Sequence, residues 1–343
     1  MKSTIRTSVL GLTMAAGMAA LIPAVASAAE EVNLYSYRQP FLMQPLTDAF
    51  TEETGIKVNM VYANKGLLER LKAEGANTPA DVVITTNAGR LNDLVEEDLV
   101  QSVSSDTLNE RVPANLRDPE GRWFAITKRG RIIYASRDRV PGDMALSYAD
   151  LADPKWKGKI CTRSGKHGYT IDLVAAMIAR HGEDWTENWL KGLKANLARK
   201  PQGNDRAQIK GVASGECDLA IGNTYYYGVM LSDPEQKGAA EQVRPVFPDQ
   251  SGEGAHMNIS GAAVTKHAQN RENAVKLIEF LAGPTAQGIY AAQNYEFPVL
   301  EDAKLHPIVE GFGDFKEDAI QVDKIGRERV NAAKLVDKVN FDG

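Results

Sequence analysis

The chain has 343 residues, a length that points to two domains rather than one. Its 45 acidic residues outnumber 40 basic ones, which argues against a nucleic-acid partner, since that would favour a basic patch or stripe. Beyond the first 28 residues no stretch approaches the roughly 20 apolar residues of a membrane helix, so the body of the chain is expected to be soluble.

In chain order, the opening is a leader. Lys2 and Arg6 precede an apolar stretch from Val9 to Leu21, and Ala26-Ser27-Ala28 satisfies the small-residue cleavage rule for secretory signals. Cleavage is expected after Ala28, which makes 1–28 a signal peptide and leaves 38 basic against 45 acidic residues, a net charge of −7. No cysteine lies near the cut to carry a lipid anchor. The expected compartment is the periplasm.

The mature sequence then alternates. EVNLYSYR reads as a strand, PFLMQPLTDAFTEETG as a helix closed by Gly55, KVNMVYA as a strand, KGLLERLKAEG as a helix and ADVVITT as a strand. That βαβαβ order predicts a sheet with parallel strands covered by helices. GRWFAITKRGRIIYAS supplies two β-like runs, after which the pattern restarts with KGKICTR, the helix YTIDLVAAMIARHG, two polar-faced helices and the strand CDLAIG. In NRENAVKLIEFLAG, Ala274, Leu277, Ile278 and Leu281 form one apolar helical face. Crossing points between the two units are expected near residues 126–132 and 258–264, and KLVDKVNF reads as a last helix. The expected fold is α/β with two lobes, each a mainly parallel sheet with helices on both faces, joined by crossing hinge strands. The lobes are assigned as 29–128 with 259–300, and 129–258 with 301–343. Such lobes can close on a ligand.

Cys161 and Cys217 are the two cysteines, each beside a predicted strand. If those strands are neighbours the pair can bridge in an oxidising compartment. The alternative is two buried free thiols.

Enzymatic motifs are missing: no G-x-S-x-G elbow, H-E-x-x-H pair, G-x-x-x-x-G-K-[ST] loop or GxGxxG is present. The five histidines are scattered without metal-ligand spacing, and a thiol–base pair of Cys161 and His167 is a weaker reading than a disulfide. Catalysis is not expected.

Tyrosine is the unusual element. Tyr37, Tyr169 and the run Tyr225, Tyr226, Tyr227 all stand where a strand ends or a loop opens. A single such tyrosine is ordinarily an amphipathic core residue. Three in succession cannot all enter one core from one strand, so at least one phenol points elsewhere. A phenol cluster suits two ligands: an organic cation in an aromatic cage, or a hard trivalent metal bound through anionic oxygen. The residues alone leave both open.

The combination of RSGKHGY with GNTYYYG, supported by EVNLYSYRQPFL, GNDRAQIKGVASGE, GAHMNISGAAV and NYEFPV, resembles the periplasmic ferric-iron-binding proteins of bacterial iron ABC importers, whose lobes are similar to those of transferrin. The resemblance covers nearly the whole mature chain. It implies a two-lobed periplasmic binding protein of the class II type that captures Fe(III), works as a monomer and delivers its ion to an inner-membrane ABC permease. It also implies ligation by Tyr169, Tyr225 and Tyr226, with Tyr227 packing beside the site. The first strand departs from members that offer a His there, reading Tyr37-Arg38-Gln39-Pro40. With open coordination positions left, Arg38 is expected to present its planar fork to a carbonate or similar small anion. Arg129 is a second anion candidate, or else an ion pair between lobes. Gln39 could add a hydrogen bond, and Tyr37 is a further candidate ligand or else core. The alternatives are a receptor for a polyamine or other small organic solute and, in another class, a secreted hydrolase.

Overall fold

The computed structural model describes Met1 and residues 30–343; the leader and its cut after Ala28 lie outside the described residues. Among the described residues there are eight strands: β1 Glu31–Ser36, β2 Lys57–Tyr62, β3 Val82–Thr85, β4 Phe124–Ser136, β5 Ile160–Cys161, β6 Leu219–Asn223, β7 Val243–Val246 and β8 Met257–Val264. They follow the order β2-β1-β3-β8-β4-β6-β5, with β7 also on β4. The β1–β2, β1–β3 and β5–β6 pairs are parallel. The crossing strands bring antiparallel pairs, so each lobe's sheet is mixed.

The two β-like runs of GRWFAITKRGRIIYAS are one strand. The first half of β4, Phe124 to Gly130, pairs with β8; Arg131 to Ala135 pairs with β6, and Ile133 to Ser136 with β7. A register irregularity between Ala125 and Thr127 lets the ribbon bend within the ladder. The core changes over inside this strand. Ile126 packs with Leu34, Phe50, Ile84 and Leu277 in a first core. Past the changeover, side chains alternate between faces as the pleat requires: Ile133 and Ala135 join Val174, Leu193 and Phe341, whereas Ile132 and Tyr134 join Val212, Tyr227 and Met230.

Helix Pro40–Thr54 begins on a proline, whose missing N–H costs nothing there, and ends at Gly55 with φ 73°. The C-terminal stretch does more than pack on the second lobe. Helix Arg329–Lys338 buries Ala332, Leu335 and Val336 there, but the short helix before it, Val322–Arg327, sends Val322 into the first core.

Cys161 and Cys217 are joined by a disulfide with Cα atoms 5.8 Å apart, 56 residues apart in sequence. It ties the end of β5 to the chain entering its neighbour β6. Closing a loop of that length in the unfolded chain is worth about 2–4 kcal/mol. Cys161→Ser/Cys217→Ser protein should therefore melt well below the oxidised wild type; equal melting temperatures would contradict this.

Candidate functional site

Two helices start at the cleft between the lobes. Gly168–His181 is capped by His167, whose Nδ1 accepts from the Tyr169 N–H at 3.1 Å. Burial, with Arg163 and Arg131 nearby, pushes the His167 imidazole down to about 4, so it is neutral. It has no thiol partner, because Cys161 is bridged.

The second helix, Thr224–Ser232, follows β6 directly. The tyrosine run thus lies in a first helical turn and not on a strand end, and successive side chains fan out by about 100° instead of alternating. Tyr227 turns inward at 8% exposure, its ring stacked 6.0 Å from Tyr134 and tilted against Phe312 at 6.0 Å. Tyr225 and Tyr226 face the cleft with ring centres 4.2 Å apart. The Tyr225 hydroxyl stands 3.4 Å from that of Tyr169. Metal–oxygen bonds of a first-row cation are about 2.0–2.2 Å, so one ion can reach both oxygens. The helix starts also present their positive ends to any phenolate formed.

Burial, reinforced by Tyr169 and Tyr226, holds the Tyr225 phenol well above its ordinary range, and burial likewise raises Tyr226. Both are neutral until a cation displaces their protons. Among the described residues no group of three or more His, Cys, Asp or Glu could hold a metal ion. The oxygen donors that cluster at the helix starts are phenols, a donor type matched to a hard cation.

Guanidinium groups surround Tyr169. The central carbon of Arg163 lies 5.3 Å from its ring centre and that of Arg129 5.7 Å. Arg163 shares buried Asp205 with Arg131, at 3.0 and 2.7 Å. Arg129 differs. It is 1% exposed, donates to Ser260 Oγ at 3.0 Å and to the Thr86 carbonyl, and has no carboxylate within 4 Å among the described residues. Its Nε has no partner.

Arg38 does not hold its fork free. Its two terminal nitrogens meet the Glu296 carboxylate at 2.7 and 3.2 Å, and one also donates to Ser260 at 2.7 Å. The Tyr37 hydroxyl accepts from the Leu68 N–H at 2.9 Å, at the start of helix Leu67–Glu74, and its ring lies under Arg90 at 4.1 Å. Gln39 is exposed at the rim. The cleft encloses about 730 Å³ and draws walls from both lobes, adding Arg90, Arg206 and Asn294. Sequence reading missed Glu296, Asp205 and Arg163, although NYEFPV, GNDRAQIKGVASGE and RSGKHGY, which hold them in that order, were all among the family-like runs. A buried acid announces itself only through its partner, and Glu296 lies 258 positions from Arg38.

Residues 77–312 match the family model described as bacterial extracellular solute-binding protein. Iron uptake protein A1 of Synechocystis sp. is 46% identical over 315 residues, 91% of this chain and 88% of its own. Ferric iron-binding protein A of Mannheimia haemolytica, solved in an open conformation, is 50% identical with a TM-score of 0.87, covering 92% of this chain and 100% of that one. A Trichodesmium protein solved with iron and citrate ligands is 44% identical with a TM-score of 0.87, covering 91% and 99%. These likenesses bear out the two-lobed α/β fold. With a family match over more than half its length and relatives similar from end to end, the chain belongs to the bacterial extracellular solute-binding proteins.

Proposed function

We propose that the protein is a periplasmic Fe(III) receptor that captures the ion between its lobes and passes it to an inner-membrane ABC permease. One observation carries this reading: the hydroxyls of Tyr169 and Tyr225, 3.4 Å apart with Tyr226 alongside, converge where two helices begin in the cleft. Three phenolates balance the charge of a ferric ion, and each releases one proton on binding. The relatives' names support the cargo, since they bind ferric iron or serve iron uptake.

Positions left open on the ion are filled by an oxygen-donor anion such as carbonate or citrate. Arg129 faces it best, being a buried guanidinium without a carboxylate of its own, while Arg38 acts from behind through Glu296. The Trichodesmium relative, solved with iron and citrate, supports such an anion. A polyamine would meet the wrong charge. Arg38, Arg90, Arg129 and Arg206 line the cleft against two carboxylates, Asp233 and Glu296, the second already paired with Arg38.

Mixed with a chelated ferric salt and bicarbonate, the purified protein should become coloured through phenolate-to-Fe(III) charge transfer. The colour should fade on acidification, because protons compete with the ion for phenols whose burial favours the protonated form. Protein that stays colourless and retains no iron would sink the proposal.

A further inference from the structure

The C-terminal segment threads between the lobes at Arg329. On one side, Val322 is buried in the first core and Gly326 lies so close to helix Ala88–Glu96 that a Cβ would fall 2.7 Å from Cβ of Asn92. On the other, helix Arg329–Lys338 is anchored in the second core. Arg329 joins the two. Its Nε donates to Asp172 at 2.9 Å, a fully buried carboxylate that also accepts from Asn258 on β8 at 2.6 Å. Asp172 stands three residues after Tyr169 on the same helix, hence on the same flank. The end of the Arg329 stem and its guanidinium lie across Gly89 of the first-lobe helix: a Cβ there would fall 1.8 Å from Cδ and 1.9 Å from Nε. Its Nη1 is 3.6 Å from Asp93 on that helix.

We propose that Arg329 is an interlobe strap: a positioning residue, outside the cleft, that holds the Tyr169 helix against the first-lobe helix Ala88–Glu96 and so sets how readily the lobes part and release iron. The inference rests on the ferric reading for its cargo but not for its mechanics. Apart from this segment, the lobes meet through the crossing strands β4 and β8 and at Tyr295, which covers Gly228 of the tyrosine helix and donates its hydroxyl to Ser232 at 2.7 Å. If the two helices separate, Arg329 must leave one of them. The Asp172 pair is buried and costly to break, whereas the Asp93 pair is partly exposed and weak. The strap therefore parts reversibly at Gly89 and Asp93 and stays with the second lobe.

The test avoids Arg329→Ala, which would strand the buried Asp172 carboxylate. Gly89→Ala drives a Cβ into Cδ and Nε of Arg329, pushing the side chain off the first lobe while keeping the guanidinium near Asp172 to neutralise it, and Asp93→Asn removes the exposed arm alone. In Gly89→Ala protein, iron release to a competing chelator should quicken on the order of tenfold, the size of a typical coupling between sites. Asp93→Asn should give a smaller change in the same direction. The charge-transfer band should keep its position, because the ligands are untouched. Small-angle scattering of the iron-free Gly89→Ala protein should show a larger radius of gyration than the wild type. A scattering profile that superimposes on the wild type's overturns the strap whatever happens to release. A changed profile with unchanged release overturns its coupling to iron. Failure of the wild type itself to hold iron is a separate result, aimed at the ferric reading, and leaves the scattering comparison valid.

Discussion

Replacing Tyr225 by Phe should lower ferric-ion retention by more than a hundredfold and remove most of the visible band. Changes to groups that merely orient metal ligands cost about 10–100-fold, and this change deletes an oxygen proposed to bind the ion itself. The substitution is clean in other respects. The ring keeps its contact with Tyr226 at 4.2 Å, and the lost oxygen's hydroxyl contact to Tyr169 is a long one, 3.4 Å. Folding stability should therefore hold or rise slightly, since a buried polar atom disappears. Tyr227→Phe is the matched control. That ring packs between Tyr134 and Phe312 in the second lobe, so iron retention should stay near wild type. If Tyr225→Phe protein binds iron like the parent, or if Tyr227→Phe loses as much, the proposed ligand set is wrong.

Asp205→Ala should be the most damaging single change to stability, at about 3–5 kcal/mol, the usual result of removing one partner from a buried ion pair. Asp205 is fully buried and accepts from Arg131 at 2.7 Å, from Arg163 at 3.0 Å and from the Asn223 N–H at 2.9 Å. Its loss leaves two neighbouring guanidinium groups facing each other without a counter-charge, both of them with nitrogen already unpartnered. It also frees Asn223, two residues before the tyrosine run. Urea denaturation should show a midpoint shifted far down, with iron retention weakened in parallel; an unmoved midpoint would falsify the network's structural role. Asp205→Asn, which keeps an acceptor without the charge, should fall between.

Much of this was legible from the chain. Strand and helix alternation survives into the structure because local patterning and tertiary demand agree there: Ala274, Leu277, Ile278 and Leu281 are all buried on one face. The reading of TYYYG as a strand end went astray for a specific reason. Three identical side chains carry no period, and Asn223 ends β6 and caps the next helix without any side-chain cap bond to mark the change. Two β-like runs became one strand because Gly130, which looks like an interruption, pairs with Met257 in the ladder between β4 and β8. At the site, the cleft tyrosines could be named because phenol chemistry is local. The partners that decide what each arginine is free to do could not. Arg38 and Arg129 look alike in sequence, yet only the fold gives Glu296 to one and leaves the other without an acid.

The disulfide at the entry of β6 has a consequence at that strand's far end. Cys217 fixes where the chain enters, and at the exit the Asn223 N–H is held by Asp205 while its carbonyl accepts from the Tyr134 hydroxyl at 2.7 Å. With both ends fastened, the entropy lost in aligning Tyr225 and Tyr226 is incurred when the chain folds and its thiols oxidise, before any ion arrives. Capture then requires protons and water to leave but no search by the backbone. The speed of loading should follow how fast a ferric chelate gives up its own ligands, and a reduced protein, with a slacker β6, should load more slowly from the same chelate.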